Sequence, residues 1–398
     1  MISTDFLDNN SVWIMYSAEN SDPYFSKFIT TGTIVPTVAV VSKNKTFLIT
    51  HSLDYDNVKN FDGEVILYSN ENSLIQNVGE ILKTLGFPET IYLNYSDKLD
   101  ARTDVLGYGT YRFLHDNISK LYKNASNPMP TLRSADEIIY SLISKKSEED
   151  IKYLKIAANR ALNILDTTFK KIKIGMTEKQ IAMLVHKIFK IKPAYFRTHK
   201  IVYEEFSWEK ERCPIVLVGP SLIKGGHCAA GSEKLKPGYT IYFDFGVKIT
   251  LADGRKYSSD IQRMGYVLKP DERKAPKDVQ HVFDALVEAV DLGIQNCTPE
   301  KKGYEIDEIV RNHITKNGFP SYNHSTGHPI GELAHSPGTS FSPKGHKRAE
   351  LYLQENGVYT IEPRIQIENG GSIEEMVLVT KNGGAPLCTP QKKLYLIN

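Results

Sequence analysis

The chain has no surplus of either charge: across 398 residues, 49 lysines and arginines stand against 47 acidic residues, a formal balance of +2. So weak a net field gives no reason to expect nucleic acid or an anionic membrane as a partner. Cysteine is scarce. Cys213, Cys228, Cys297 and Cys388 lie far apart and form no CxxC pair, so neither a zinc knuckle nor a dithiol redox motif is indicated, and reduced, mostly buried thiols are expected. Long apolar runs are missing as well. The longest, Ile34–Val41, contains Pro36 and is far too short to span a bilayer. Met1–Asn20 carries Asp5, Asp8 and Glu19 with no basic n-region and no apolar h-region, so a secretory signal is not expected and the expected location is cytoplasmic. No internal repeat or low-complexity tract is visible.

What is present is enough sequence for two domains, each able to bury its own core. In the first part, Val38–Val41 and Thr46–Thr50 are β-branched runs around Ser42-Lys43-Asn44-Lys45, the pattern of a hairpin. A strand follows at Val65–Ser69. Leu74, Val78, Ile81, Leu82 and Leu85 recur at helical spacing up to Gly86, and Ile91–Leu93 is a further strand. From Ser147 the pattern becomes a long amphipathic helix with Ile151, Leu154, Ala158, Leu162, Leu165 and Phe169 on one face. The expected division is therefore residues 1–145, an α/β domain, and residues 146–398. In the second domain, Thr177 and Gln180 form a capping box. Val279, Val282, Phe283, Leu286 and Val290 mark a helix entered through Pro276, and Ile306–Ile314 marks a shorter one.

Three segments of this second domain put acids and histidines where a packed strand favours apolar residues. They are Ile241–Gly246 through Ser258-Ser259-Asp260, His324 through His328 to His335, and Ile361-Glu362-Pro363 with Ile373-Glu374-Glu375. A lone carboxylate at Asp244, inside the apolar run Thr240–Ile249, would cost on the order of several kcal/mol unless a cation or dedicated donors hold it. Glu362 poses the same problem. Asp244, Asp260, Glu362, Glu374 and one histidine would together supply four negative charges and a neutral imidazole, which balances two divalent cations. So oxygen-rich a set suits Mn²⁺ better than a structural zinc, with Co²⁺ or Zn²⁺ as alternatives.

From Ser147 to the C-terminus the chain resembles the pita-bread metallopeptidases, the group of methionine aminopeptidase, Xaa-Pro aminopeptidase and prolidase. The resemblance rests on an Asp-x-Gly strand, a Ser-Asp strand, a His-x-x-x-His-x-Ile-Gly stretch, a Glu-Pro turn and an Ile-Glu strand in that order. It implies a pita-bread catalytic domain with Asp244, Asp260, His328, Glu362 and Glu374 as ligands to two metals. The N-terminal part resembles the creatinase-type domain of the Xaa-Pro aminopeptidases and prolidases. The implied activity is release of the residue that precedes a proline at the second position of a peptide, with a prolidase-type dipeptidase as the alternative and a metal-free creatinase-like hydrolase or binding protein behind both. The same resemblance implies His227 and His335 as substrate-facing histidines, His324 as a support behind His328, and a homodimer; Glu362 is the candidate proton shuttle, taking the water's proton and passing it to the leaving proline nitrogen.

Three departures stand out. Ser372 occupies the position where prolidases and many Xaa-Pro aminopeptidases carry an arginine, and Arg364 replaces the glycine usual after Glu-Pro. Asp244 and Asp260 are also farther apart than is usual in the family, with Leu251–Lys256 between them. If Asp253-Gly254 made a two-residue turn, Asp244 would sit opposite Arg263 and Asp260 would face the other side of the sheet. An odd-length loop or a β-bulge is therefore required.

Overall fold

The computed structural model describes residues 4–223 and 228–398. Backbone contacts divide the chain into two compact units, Met1–Leu142 and Ile143–Asn398. In the first, β-branched runs build one mixed sheet from β1 (Ser11–Ser17), β2 (Thr37–Ser42), β3 (Thr46–His51), β4 (Glu64–Tyr68), β5 (Thr90–Leu93) and β6 (Thr131–Ser134), ordered β4-β3-β2-β1-β5-β6. The expected hairpin is the antiparallel β2–β3 pair, closed where Ser42 Oγ donates to the Lys45 carbonyl at 2.8 Å. Helix Glu71–Thr84 presents Leu74, Val78, Ile81 and Leu82 to the core. A second helix, Tyr108–Asn124, adds Leu114, Ile118 and Tyr122. Its buried stripe of three residues does not stand out in the sequence.

In the second unit, helix Glu148–Phe169 starts where expected. Ser147 Oγ accepts from the Asp150 amide at 3.1 Å and the Asp150 carboxylate accepts from the Ser147 amide at 2.9 Å, which satisfies donors that the first turn leaves open. Its buried face runs through Leu154, Ala158, Ala161 and Leu165, with Ile151 and Leu162 at the margin. Helix Glu178–Phe189 carries the expected Thr177/Gln180 box.

The strands of this unit are β7 (Ile201–Phe206), β8 (Ile215–Val218), β9 (Thr240–Phe245), β10 (Val247–Leu251), β11 (Lys256–Ser258), β12 (Ile261–Val267), β13 (Val358–Ile361), β14 (Arg364–Ile365), β15 (Gly371–Ser372), β16 (Glu375–Thr380), β17 (Gly383–Pro386) and β18 (Tyr395–Ile397). They form small sheets ordered β11-β10-β7, β18-β12-β9-β8, β13-β16-β17 and β14-β15. One core packs helices Glu148–Phe169 and Glu178–Phe189 on Phe243, Phe245, Ile249 and Ile261. The other packs helices Lys277–Asn296 and Gly303–Lys316 on Ile361, Ile373 and Val377. Residues of β9, β12, β13 and β16 meet between these cores. Cys213, Cys297 and Cys388 are buried free thiols, and Cys228 is half-buried and free. Among the described residues, no helix is long and apolar enough to cross a membrane.

Candidate metal centre

Strand parity puts the two aspartates on one face. β9 and β12 pair so that Asp244 lies opposite Gln262, and β10 and β11 continue the same register with Lys248 opposite Ser258. The hairpin tip is closed by Leu251 N donating to the Arg255 carbonyl at 2.9 Å, which leaves Ala252, Asp253 and Gly254 as a three-residue loop. Of the two solutions that the spacing left open, the odd-length loop is the one present, with Gly254 at a φ of +88°. Asp260 precedes Gln262 by two positions, so it shares the face of Gln262 and Asp244. Close approach here depends on Gly246: a Cβ at that position would fall 2.1 Å from the Ser259 carbonyl oxygen.

The histidine and the glutamates come from a second set of pairings. Thr326–Ile330 runs antiparallel along β13: the Glu362 amide donates to the Thr326 carbonyl (2.7 Å), the Thr360 amide to the His328 carbonyl (2.9 Å) and the Ile330 amide to the Val358 carbonyl (3.0 Å). Gly327 permits this, because a Cβ there would lie 2.0 Å from the Thr360 carbonyl oxygen. β13 and β16 pair Ile361 with Glu375, and one step on, the same register carries Glu362 toward Glu374. Gln262 and Glu374 then exchange backbone hydrogen bonds at 3.3 Å in both directions, which joins the two sets.

His328 Nε2 lies 3.5 Å from Glu362 Oε1, 3.8 Å from Asp260 Oδ2 and 4.0 Å from Glu374 Oε1. These separations are too long for good hydrogen bonds. They match ligand atoms that each stand about 2.1 Å from a shared cation and so roughly 3 to 4 Å from one another. His328 Nδ1 faces the Pro329 carbonyl at 3.3 Å, a geometry that keeps the proton on Nδ1 and leaves the Nε2 lone pair toward the acids. Three overlapping groups, Asp244/Asp260/Glu374, His328/Glu362/Glu374 and Asp260/His328/His335, could each hold a metal ion. Burial and the neighbouring carboxylates push Asp260 and Glu374 well above the usual carboxylate range. Burial and Asp244 push Glu362 up to about 8, against a smaller pull downward from the Gln262 hydrogen bond. Asp260 Oδ1 and both carboxylate oxygens of Glu374 are buried without a hydrogen-bond partner. Buried acids in that state need cations or protons, so the donor set fits a pair of divalent ions.

Residues 152–381 match the model of metallopeptidase family M24, which is more than half of the chain. The chain belongs to metallopeptidase family M24. Its relatives include a Xaa-Pro dipeptidase of Pyrococcus horikoshii, 22% identical over 393 residues that cover 98% of this chain and 96% of the relative. An uncharacterized peptidase of Bacillus subtilis is 27% identical over 369 residues, covering 90% of each chain. Among solved structures, an X-Pro aminopeptidase from Thermotoga maritima superposes with a TM-score of 0.66 at 22% identity, over 99% of both chains. A Xaa-Pro dipeptidase from Bacillus anthracis gives 0.65 at 23% identity, over 97% of this chain and 95% of that one. The fold is the pita-bread fold of these enzymes, and the M24 chain is a peptidase.

Within this M24 centre, His335 is exposed at the rim, its ring centroid 4.3 Å from that of His328. His324 lies against Tyr322, ring centroids 4.7 Å apart, with its Nδ1 facing the Ser325 carbonyl at 2.8 Å. His227 lies outside the described residues. Two members of the centre were missed from sequence. Gln262 Nε2 donates to Glu362 Oε2 at 3.0 Å and to Asp244 Oδ2 at 3.4 Å, while its Oε1 is buried without a partner. Tyr242, raised well above its ordinary range by burial and then by Asp244, remains protonated and donates to Asp244 Oδ2 at 3.2 Å. The signal available in sequence was parity: Tyr242 and Gln262 each stand two positions from an aspartate of the set, and so share its face.

Proposed function

We propose that this M24 peptidase hydrolyses the bond between an N-terminal residue and a following proline, with Asp244, Asp260, His328, Glu362 and Glu374 as ligands to two divalent ions, Mn²⁺ first among the candidates. The observation that carries the metal reading is the convergence of four carboxylates and His328 Nε2 at ligand-like spacing, with both carboxylate oxygens of Glu374 buried and without a well-formed hydrogen bond. When bound, the cations supply an activated water and a Lewis acid for the scissile carbonyl. The protein's own groups do the rest. Glu362 is partly exposed, unlike Glu374, so it can meet substrate, accept a proton from the attacking water and deliver it to the leaving proline nitrogen. His335 at the rim would donate to the developing oxyanion or the peptide backbone, a role we extend to His227 by resemblance alone. Gln262 and Tyr242 hold the carboxylates of Asp244 and Glu362 in place.

Release of a single residue from longer peptides is the aminopeptidase reading. The dipeptidase reading draws support from a relative named Xaa-Pro dipeptidase that aligns with nearly the whole chain. Chelator-stripped protein reloaded with Mn²⁺, Co²⁺ or Zn²⁺ and given Ala-Pro, Ala-Pro-Ala and Ala-Ala-Ala decides both points. Cleavage of Ala-Pro-Ala after its first residue supports the aminopeptidase, and cleavage of Ala-Pro alone supports the dipeptidase. Equal cleavage of Ala-Ala-Ala would remove proline from the reading, and activity indifferent to stripping would remove the metals.

A further inference from the structure

The two departures at positions 364 and 372 are a single feature in space. β14 and β15 pair Arg364 directly with Ser372, and residues directly opposite in an antiparallel pair project from the same face as nearest neighbours. Both are buried, at 4% and 1% exposure. Ser372 fits beside the larger side chain by turning its hydroxyl to the Pro363 carbonyl at 2.8 Å.

Among the described residues, the Arg364 guanidinium reaches from β14 to a backbone carbonyl and to an aromatic ring. Its Nη2 donates to the Leu222 carbonyl at 3.2 Å, while Gln366 Nε2 donates to the next carbonyl, Ile223, at 2.7 Å. Its central carbon stands 5.5 Å from the ring centroid of Tyr242, within range of a cation–π contact. Tyr242 in turn donates to Asp244 Oδ2. A buried cation therefore sits one side chain behind Asp244 and two positions from Glu362.

We infer that Arg364 is a positioning residue of the metal centre: its guanidinium, presented from β14, serves in place of the arginine that the resemblance expects on β15 and holds Asp244 through Tyr242. This rests on the two-metal reading of the centre. It makes positions 364 and 372 interchangeable carriers of one guanidinium, so a glycine at one and an arginine at the other should restore what loss of Arg364 removes.

The test compares wild type with Arg364→Gly, Arg364→Lys and the double variant Arg364→Gly/Ser372→Arg. Each is stripped, titrated with Mn²⁺ by calorimetry, melted without metal, and assayed on Ala-Pro-Ala and Ala-Pro for kcat and KM separately. Expected is about a tenfold or greater loss of Mn²⁺ affinity in Arg364→Gly, the usual scale for groups that orient ligands. Arg364→Lys should stay impaired, because an ammonium lacks the planar fork, and the double variant should recover most of the affinity. Wild-type affinity in Arg364→Gly overturns the inference. So does a double variant that melts like wild type yet binds Mn²⁺ no better than the single one. If Arg364→Gly does not fold, wild-type Mn²⁺ affinity in Arg364→Lys overturns it equally. Wild type that takes up no Mn²⁺ is a separate outcome, which overturns the two-metal reading itself.

Discussion

Gln262 is the neutral member of an otherwise acidic set, and its amide group has two protons for two carboxylates, Asp244 and Glu362. Gln262→Leu keeps much of the bulk and removes both donors. Its expected effect is about a tenfold loss of metal affinity by calorimetry, with little change in the metal-free melting temperature; an unchanged affinity would reduce Gln262 to a space filler. The acids themselves predict a pH dependence. In folded, metal-free protein Glu362 keeps its proton up to about pH 8, whereas the unfolded chain loses it above its ordinary value of 4.5. The folded state binds more protons in that window, so stability present below it is lost as pH rises through it. Asp260 and Glu374 are shifted in the same direction and add to the loss. Thermal melts of stripped protein from about pH 5 to pH 8 should therefore fall with pH, and Mn²⁺ should flatten the trend. A flat profile without metal would contradict it. Of the five proposed ligands, Asp244 and Glu362 were legible in sequence because a charge inside an apolar run is too costly to be casual, while Asp260, His328 and Glu374 were assigned by resemblance to the family motifs. Gln262 and Tyr242 were not, because a neutral polar side chain in a strand can be satisfied by almost any neighbour.

Elements were legible where local signals agreed with tertiary packing. The helix start at Ser147, the capping box at Thr177 and the hairpin at Ser42–Lys45 combine turn chemistry with periodicity. Helix Tyr108–Asn124 fully buries only Leu114, Ile118 and Tyr122, a stripe too thin to stand out among its polar residues. The three-residue tip at Ala252–Gly254 is one of the two solutions that parity allowed, a choice that became visible only with the register on both sides of it. One tie between elements was missed altogether. Arg160, on helix Glu148–Phe169, makes a bidentate pair with Glu204 on β7 at 3.0 and 3.1 Å. It also donates to the Phe189 and Ile191 carbonyls. Both side chains are less than a tenth exposed. Arg160→Ala would leave Glu204 buried and unpaired, a change that costs about 3 to 5 kcal/mol. Denaturant unfolding is the measurement, and a loss under about 1 kcal/mol would mean that water reaches Glu204.

At the scale of the whole molecule, the proposed ligands are spread from Asp244 to Glu374, and no short segment contains the centre. Asp244 and Asp260 hang from the β9–β12 hairpin, whereas His328, Glu362 and Glu374 belong to pairings around β13 and β16. Between them, the two paired backbone hydrogen bonds of Gln262 and Glu374 are each 3.3 Å long, at the weak end of the range. Cations held from both sides would fasten this seam. Removing them should therefore loosen the molecule unevenly. In hydrogen exchange, the amides of Gln262 and Glu374 should lose protection on chelation long before that of Phe243, deep in the first core, and regain it when Mn²⁺ returns. Equal protection with and without metal would mean that the seam holds by itself. The proposed catalytic ions would then double as the fastening between two halves of one fold, so a cell short of metal would hold a protein that is both inactive and easier to open at its centre.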